Sequence, residues 1–348
     1  MVIEPAAVAK ERSVTLADWG EFDFIAALKK RLPTLSESLP LGLGDDASWW
    51  RPAAGDGVLT TCDMLVEGVH FELATTTPAD LGWKALAVNL SDLAAMGGEP
   101  ECAWLALGLP PTTPRPWLEE FCSAFLELAA QYGVQLAGGD TVRARDLVIS
   151  VTLAGQPVAG RPILRSGALP EDEIYFSGTL GDSCLGLKLL QQKIMVEDPA
   201  AARFLERRHL RPEPRVELGR KLAAAGLVRA MLDVSDGLVA DLGHLLRAAG
   251  GLGARLEEEA LSFSVAAEKL LAAGEVALDE LLTGGEDFEL LFAAPAGADN
   301  EIQRLAVDCG VRLSRIGRVT AEDGIVLVAA DGCEQRLTGR GGHDHFKD

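Results

Sequence analysis

A chain of 348 residues with 48% hydrophobic and 24% charged residues has the composition of a soluble globular protein long enough for two domains. Its net charge of −20 would repel nucleic acid and anionic membranes, so neither is expected as a partner, and an anionic small substrate would be repelled too unless metal ions intervene. The six cysteines form no C-x-x-C pair and no zinc spacing with histidine, the opening MVIEPAAVAKERS has no apolar h-region, and no apolar run approaches the ~18 residues of a membrane span; the expected location is cytoplasmic, with reduced thiols.

In chain order, the first conspicuous stretch is LGLGDDAS at 41–48. Gly42, Gly44 and Ala47 fit the G-x-G-x-x-[G/A] turn of dinucleotide-binding folds, but Asp45 and Asp46 stand where a pyrophosphate would sit. No βαβ unit with a downstream ribose acid surrounds them, so the glycines are read as a sharp turn. Residues 58–65 read as a strand ending in polar chemistry. Residues 79–96 form a helix, entered after Pro78 and stopped by Gly97 and Gly98. A buried strand follows at 101–110, an amphipathic helix at 115–133, a short strand entering a glycine turn at 135–141, and a strand at 146–155.

Residues 157–172 are rich in Pro, Gly and charge and read as a hinge. The second half repeats the alternation: strand EIYFSG, helices GDSCLGLKLLQQK and RVELGRKLAAAG, strand AMLDVS, helix DGLVADLGHLLRAAG, strand FELLFAAP, a helix at 299–309, then strands VRLSRIGRV and GIVLVAA. Both halves are mixed α/β, giving an N-terminal domain over 1–155 and a C-terminal domain over 156–348. Each half carries a Gly-Gly-acid motif, AGGDT at 137–141 and TGGED at 283–287, which hints at a distant internal repeat.

The aspartates carry the chemistry. Asp45, Asp46, Asp63, Asp140, Asp233 and Asp236 are read at element ends or in glycine turns, where side chains face clefts and backbone approaches a ligand closely. Asp92 instead lies inside a helix apolar nearly all round; a buried carboxylate needs a partner or a metal, and Asn89 shares its face. A lone Asp at a turn is ordinarily a cap or Asx-turn, which accounts singly for Asp45, Asp140 and Asp233 but poorly for the set. Scattered carboxylates without His or Cys suit several Mg²⁺ ions rather than zinc. There is no P-loop, no protein-kinase signature and no G-x-S-x-G.

The motifs GLGDDA, TCDMLVEGVHF, KALAVNLSDLAAMGGEP, AGGDT, GRPILRSGA, RHLRPEPR, DVSDGLVADLGHLL and LTGGEDFELLF, in this order, resemble the thiamine-monophosphate kinases, a family within the aminoimidazole-ribonucleotide synthetase superfamily. The resemblance runs from Gly20 nearly to the C-terminus. It implies transfer of the ATP γ-phosphoryl to thiamine phosphate, with Mg²⁺ as cofactor and ATP as co-substrate. It also implies a homodimer whose N-terminal strands build a shared barrel, with the active site in the cleft between domains. It assigns metal ligation to Asp46, Thr61, Cys62, Asp63, Asp92, Asp140, Asp233 and Asp236, with no separate catalytic residue. Thr61 and Cys62 contribute through hydroxyl or backbone oxygens, and Cys62 stands where a small hydroxyl residue is expected. ATP contacts fall on Gly139, Asp140, Arg165 and Ser235, and thiamine contacts on His70, Glu286 and His343. His343 stands where the family tends to place a stacking aromatic residue. Read from the residues alone, His70 is equally a satisfied strand-end histidine. Arg161 and Lys84 meet phosphate or are solvated charges, and for Lys84 the solvated reading is favoured.

Within the superfamily, selenophosphate synthetase would need a reactive Cys near the N-terminus, and no Cys precedes Cys62. The hydrogenase-maturation relative would end in a Cys tail, whereas this chain ends HFKD. A non-catalytic nucleotide-binding regulator is the alternative from another class, and the intact aspartates argue against it. No activated-water arrangement points to a metal-dependent phosphatase.

Overall fold

The computed structural model of the chain describes residues 27–34, 36, 38 and 58–337. The first half contains β1 (Leu59–Val66), α1 (Pro78–Ala95), β2 (Gly98–Leu109), α2 (Arg115–Gln131), β3 (Gln135–Arg143) and β4 (Val148–Pro157). Its strands form one sheet in the order β1-β4-β2-β3, antiparallel except for the parallel β2–β3 pair. Period-two alternation sorts the faces. Leu65, Leu105, Leu136, Val151 and Leu153 point inward and are buried in the core that α1 and α2 complete. The outer face carries a small cluster of Cys102, Ala137 and Ala154 with Trp104, and leaves Met64 and Val142 exposed.

Helix α1 begins where its sequence says it should. Thr77 caps it by accepting from the Asp80 N–H at 3.2 Å, and Pro78 occupies the first turn. It is buried nearly all round, as its apolar sequence predicts.

After an irregular segment at 158–172 come β5 (Glu173–Ser177), α3 (Asp182–Leu190), α4 (Pro199–Leu210), α5 (Val216–Ala225), β6 (Ala230–Asp233), α6 (Leu238–Ala248), β7 (Gly253–Glu257), α7 (Val265–Ala273), α8 (Leu278–Thr283), β8 (Leu290–Ala294), α9 (Asp299–Asp308), β9 (Leu313–Thr320), β10 (Gly324–Val328) and β11 (Glu334–Leu337). A seven-stranded sheet runs β11-β10-β7-β9-β5-β8-β6, with β7–β10 its parallel pair. Helix α1 also packs on α5 and β6, so one core continues from the first sheet to Met231, Leu290 and Phe292. That shared packing brings residues of both halves together along α1.

The mixed α/β expectation holds in both halves. Helices α4, α7 and α8 and strands β7 and β11 had no counterpart in the sequence reading. Helix α4 buries only Leu205, Arg208 and His209, which leaves no clear apolar stripe, and the others are short. Three expectations are corrected. QLAGGDT is not a strand entering a glycine turn, because β3 runs through both glycines to Arg143. Asp63 is not at a strand end, because β1 continues to Val66. The two Gly-Gly-acid motifs are not equivalent: one lies within a strand, the other in the loop between α8 and β8.

Candidate active site

Three carboxylates from three elements meet beside α1: Asp63 from β1, Asp92 from α1 itself, and Asp233 from the end of β6. Each is anchored locally. The Thr61 hydroxyl, two residues before Asp63 on the same strand face, donates to Asp92. The Asp63 N–H donates to Asn89 Oδ1 at 3.2 Å, while Asn89 Nδ2 donates to the Ala85 carbonyl at 3.1 Å. Asn89 and Asp92 thus share the helix face turned to β1, as their spacing predicts. Ser91 faces the other half and donates to Asp233 Oδ2 at 2.6 Å.

The cluster is short of positive charge. Burial, and then the Asp92 charge, push the Asp63 carboxyl up. Burial raises Asp92 against the Thr61 hydroxyl and the Arg165 guanidinium. Burial raises Asp233, with Asp92, Asp241 and Asp63 adding repulsion. Among the described residues no three carboxylate, imidazole or thiol groups close around a point tightly enough to hold an ion by themselves. Mg²⁺ does not need that, since it takes one or two carboxylates and completes its shell with water and phosphate oxygens. An all-oxygen donor set with unneutralised negative charge fits such an ion.

Not every expected ligand joins the cluster. The Cys62 thiol points to the outer face, 3.5 Å from Ser150 Oγ, because alternation opposes it to Thr61 and Asp63. Asp140 also faces outward. The register aligns Met64, Ser150, Ala106 and Asp140 in one outward row, and Asp63, Val151, Leu105 and Gly139 in the inward one. Asp140 therefore lies three strand spacings, roughly 14 Å, from Asp63, and its Oδ1 accepts from the Thr141 N–H. Gly139 has a packing reason of its own, since an added Cβ would lie 1.8 Å from the Leu105 carbonyl oxygen. Asp45, Asp46 and His343 lie outside the described residues.

A second constellation forms where DVSDG meets GGEDFEL. The Glu286 N–H donates to the Ser235 carbonyl at 2.7 Å, Phe288 N–H to Val234, and Val234 N–H back to Glu289. Gly285 permits this approach, since a Cβ there would lie 2.4 Å from the Ser235 oxygen. Asp236 follows in the same turn, its N–H donating to Asp241 Oδ2 at 2.9 Å. Asp241 is buried, and burial pushes its carboxyl up to about 7.

Lys84 corrects the sequence reading: it is 2% exposed, and its Nζ lies 3.0 Å from Glu286 Oε2. His209 Nδ1 is 3.2 Å from the same oxygen. Burial alone would raise Glu286, but the Lys84 charge and its hydrogen bond overcome it and hold the carboxyl below its ordinary range. Burial, with the Lys84 charge, lowers His209 to about 3, leaving a neutral imidazole. His70 sits in the turn after β1, where its Nδ1 accepts from the Val66 N–H at 3.1 Å and its ring acts electrostatically on Glu286. It is thus both a satisfied turn histidine and a neighbour of Glu286. Behind the loop, buried Glu289 accepts from Arg208 at 2.8 Å and from Arg215 at 2.6 Å, which accounts for RHLRPEPR as scaffold. Arg165 and Arg161 are exposed; Arg165 acts on Asp92, whereas Arg161 lines a separate cavity with Ile163 and Arg229.

Sequence reasoning missed Ser91, His209 and Asp241. Asp241 carries the signal that singled out Asp92, an acid within an apolar helix, and was readable by the same test.

Models of the AIR synthase related protein match this chain with their N-terminal domain at residues 44–156 and their C-terminal domain at 170–330. Thiamine-monophosphate kinase of Escherichia coli strain K12 is 41% identical over 333 residues, 94% of this chain and 98% of its own. The crystal structure of thiamine-monophosphate kinase from Stenotrophomonas maltophilia superposes with a TM-score of 0.78 at 40% identity, covering 89% of this chain and 95% of that one. AaThiL complexed with AMPPCP and TMP superposes with a TM-score of 0.73 at 32% identity, covering 97% and 100%.

Proposed function

The chain belongs to the AIR synthase related family and, within it, to the thiamine-monophosphate kinases, and we propose that it transfers the γ-phosphoryl of ATP to the phosphate of thiamine monophosphate, giving thiamine diphosphate and ADP. The observation that carries this reading is the convergence of Asp63, Asp92 and Asp233 from both halves of the chain, opposed by Arg165.

The chemistry explains why a phosphate site is lined with carboxylates. The nucleophile is a phosphate oxygen whose second pKa is about 6, so it is already ionised and needs no general base. What remains is to bring two polyanions together and hold them in line. Asp63, Asp92 and Asp233, with Asp46 and Asp236, would hold Mg²⁺, which when bound neutralises phosphate oxygens and templates their approach. Thr61, Asn89 and Ser91 fix the carboxylates in place. Arg165 supplies a forked, permanent positive charge suited to phosphate, and Ser235 lines the same turn. At the other end, ionised Glu286 and His70 face the cationic thiamine moiety, and His343 is assigned there from the sequence resemblance.

Cys62 and Asp140 belong to this assignment through the outer sheet face, and Gly139 through the backbone beside Asp140. We place a second copy of the chain on that face, in a cytoplasmic homodimer whose sheets close a barrel. Its support is the exposure of the apolar side chains of Met64 and Val142 on that face. The division into domains at 155/156 rests on the irregular segment at 158–172. Among the described residues no helix is long and apolar enough to cross a membrane.

The test is an acceptor panel with Mg²⁺ and ATP. Thiamine monophosphate should be converted to thiamine diphosphate with one ADP per product. Turnover of another phosphate acceptor with none of thiamine monophosphate would refute the assignment.

A further inference from the structure

Lys84 is the one lysine buried among the described residues, and its charge is not used by the aspartate cluster. It reaches from α1 in the N-terminal half to Glu286 in the C-terminal half. Glu286 stands at φ +67 and Phe288 at φ +49, backbone conformations that side chains rarely adopt, so this loop is held by its surroundings rather than by its own preference. His209 comes from α4, a third element, and its Nδ1 is also 3.1 Å from Ser183 Oγ. Both contacts to Glu286 fall on Oε2, and neither side chain is free to turn: Lys84 and His209 are 2% and 6% exposed.

A surface carboxylate needs no such arrangement to remain ionised. A half-buried one at a strained position does, if it must keep both its charge and its direction. Resting on the assignment of Glu286 to the thiamine end, we propose that Lys84 and His209 are positioning residues. They lock the Glu286 carboxylate toward the cationic organic end of the acceptor, and so select a cationic phosphate monoester over a neutral one. They act through Glu286 and touch neither phosphate.

A double-mutant cycle on thiamine monophosphate binding tests this, read by calorimetry on the full chain with Mg²⁺. Lys84→Met and Glu286→Gln should each weaken binding about tenfold, because each leaves a buried polar group without its partner. The double variant should be no weaker than Glu286→Gln alone, and the KM for ATP should stay within about twofold of wild type. His209→Leu should lose affinity as Lys84→Met does, whereas His209→Gln, which keeps an N–H, should recover most of it. Multiplicative losses in the double variant, wild-type affinity in Lys84→Met, or a rise in the KM for ATP would each overturn the proposal. If Lys84→Met does not fold, the His209 pair decides: equal affinity of His209→Leu and wild type overturns it. Wild type that binds no thiamine monophosphate overturns the functional reading and this inference together; wild type that binds and turns over while the variants behave independently overturns this inference alone.

Discussion

Toward its C-terminal end, α1 brings Asp92 against Asp63 and Asp233, with Arg165 opposing them. About two turns earlier, the same helix brings Lys84 against Glu286, with His209 beside it. Both sites take ionisable groups out of water, and both join the two halves of the chain. They differ in charge balance. The aspartates repel one another and their carboxyls are pushed up. The Glu286 carboxyl is pushed down because its partners outweigh the cost of burial. A set of like charges is completed by something the chain does not supply. A paired set is complete already and serves to hold a shape.

This contrast can be broken by substitution. The largest effect is expected on activity at the first site. Asp92→Asn keeps the side chain's shape but removes a charge, and turnover should fall at least about 1,000-fold, comparable to losing a principal electrostatic stabiliser of the transition state. A steady-state assay with a folding check would read it. Lys84→Met, by contrast, should cost about 2 kcal/mol of folding stability by denaturant titration, since it removes the buried cation that pairs with half-buried Glu286. The metal-free Asp63→Asn protein should be as stable as wild type or about 1 kcal/mol more stable, because it relieves repulsion rather than breaking a pair. If both substitutions destabilise alike, the two sites are not different in kind.

A further effect concerns pH. His209 has a folded pKa lowered from 6.5 to about 3, so in that window the unfolded chain binds the proton and the folded one does not. Its contribution to stability is present above 6.5 and is lost as pH falls toward 3, by about 1.4 kcal/mol per unit. His209→Gln should flatten that slope in melts between pH 6.5 and 4.5, and an unchanged slope would mean that the imidazole is not held neutral.

Much of the site was legible because it is local in sequence. Asp92 stood out as an acid in an apolar helix, and Asn89 followed from helical spacing alone. Asp233 was marked by a strand-to-helix junction, and Glu286 by the Gly-Gly pair before it. Long-range pairing was not legible. Nothing near Lys84 announces Glu286, 202 residues away, and an isolated lysine reads as solvated. Strand register was equally hidden. The inward face of Asp63 and the outward faces of Cys62 and Asp140 follow from which strands pair and in what alignment, and a one-residue slip would reverse them. Helix α4, which delivers His209, lacked the apolar stripe that would have revealed it.

The central claim is that the aspartates beside α1 organise direct phosphoryl transfer between two phosphates. The most direct measurement follows isotopically labelled γ-phosphate from ATP in the presence of Mg²⁺ and thiamine monophosphate. The account requires the label to appear on the terminal phosphate of thiamine diphosphate, one for each ADP formed, and to stop appearing when Mg²⁺ is chelated or Asp92 is replaced by Asn. Label released as inorganic phosphate, or transfer that persists in the Asp92→Asn protein, would contradict it.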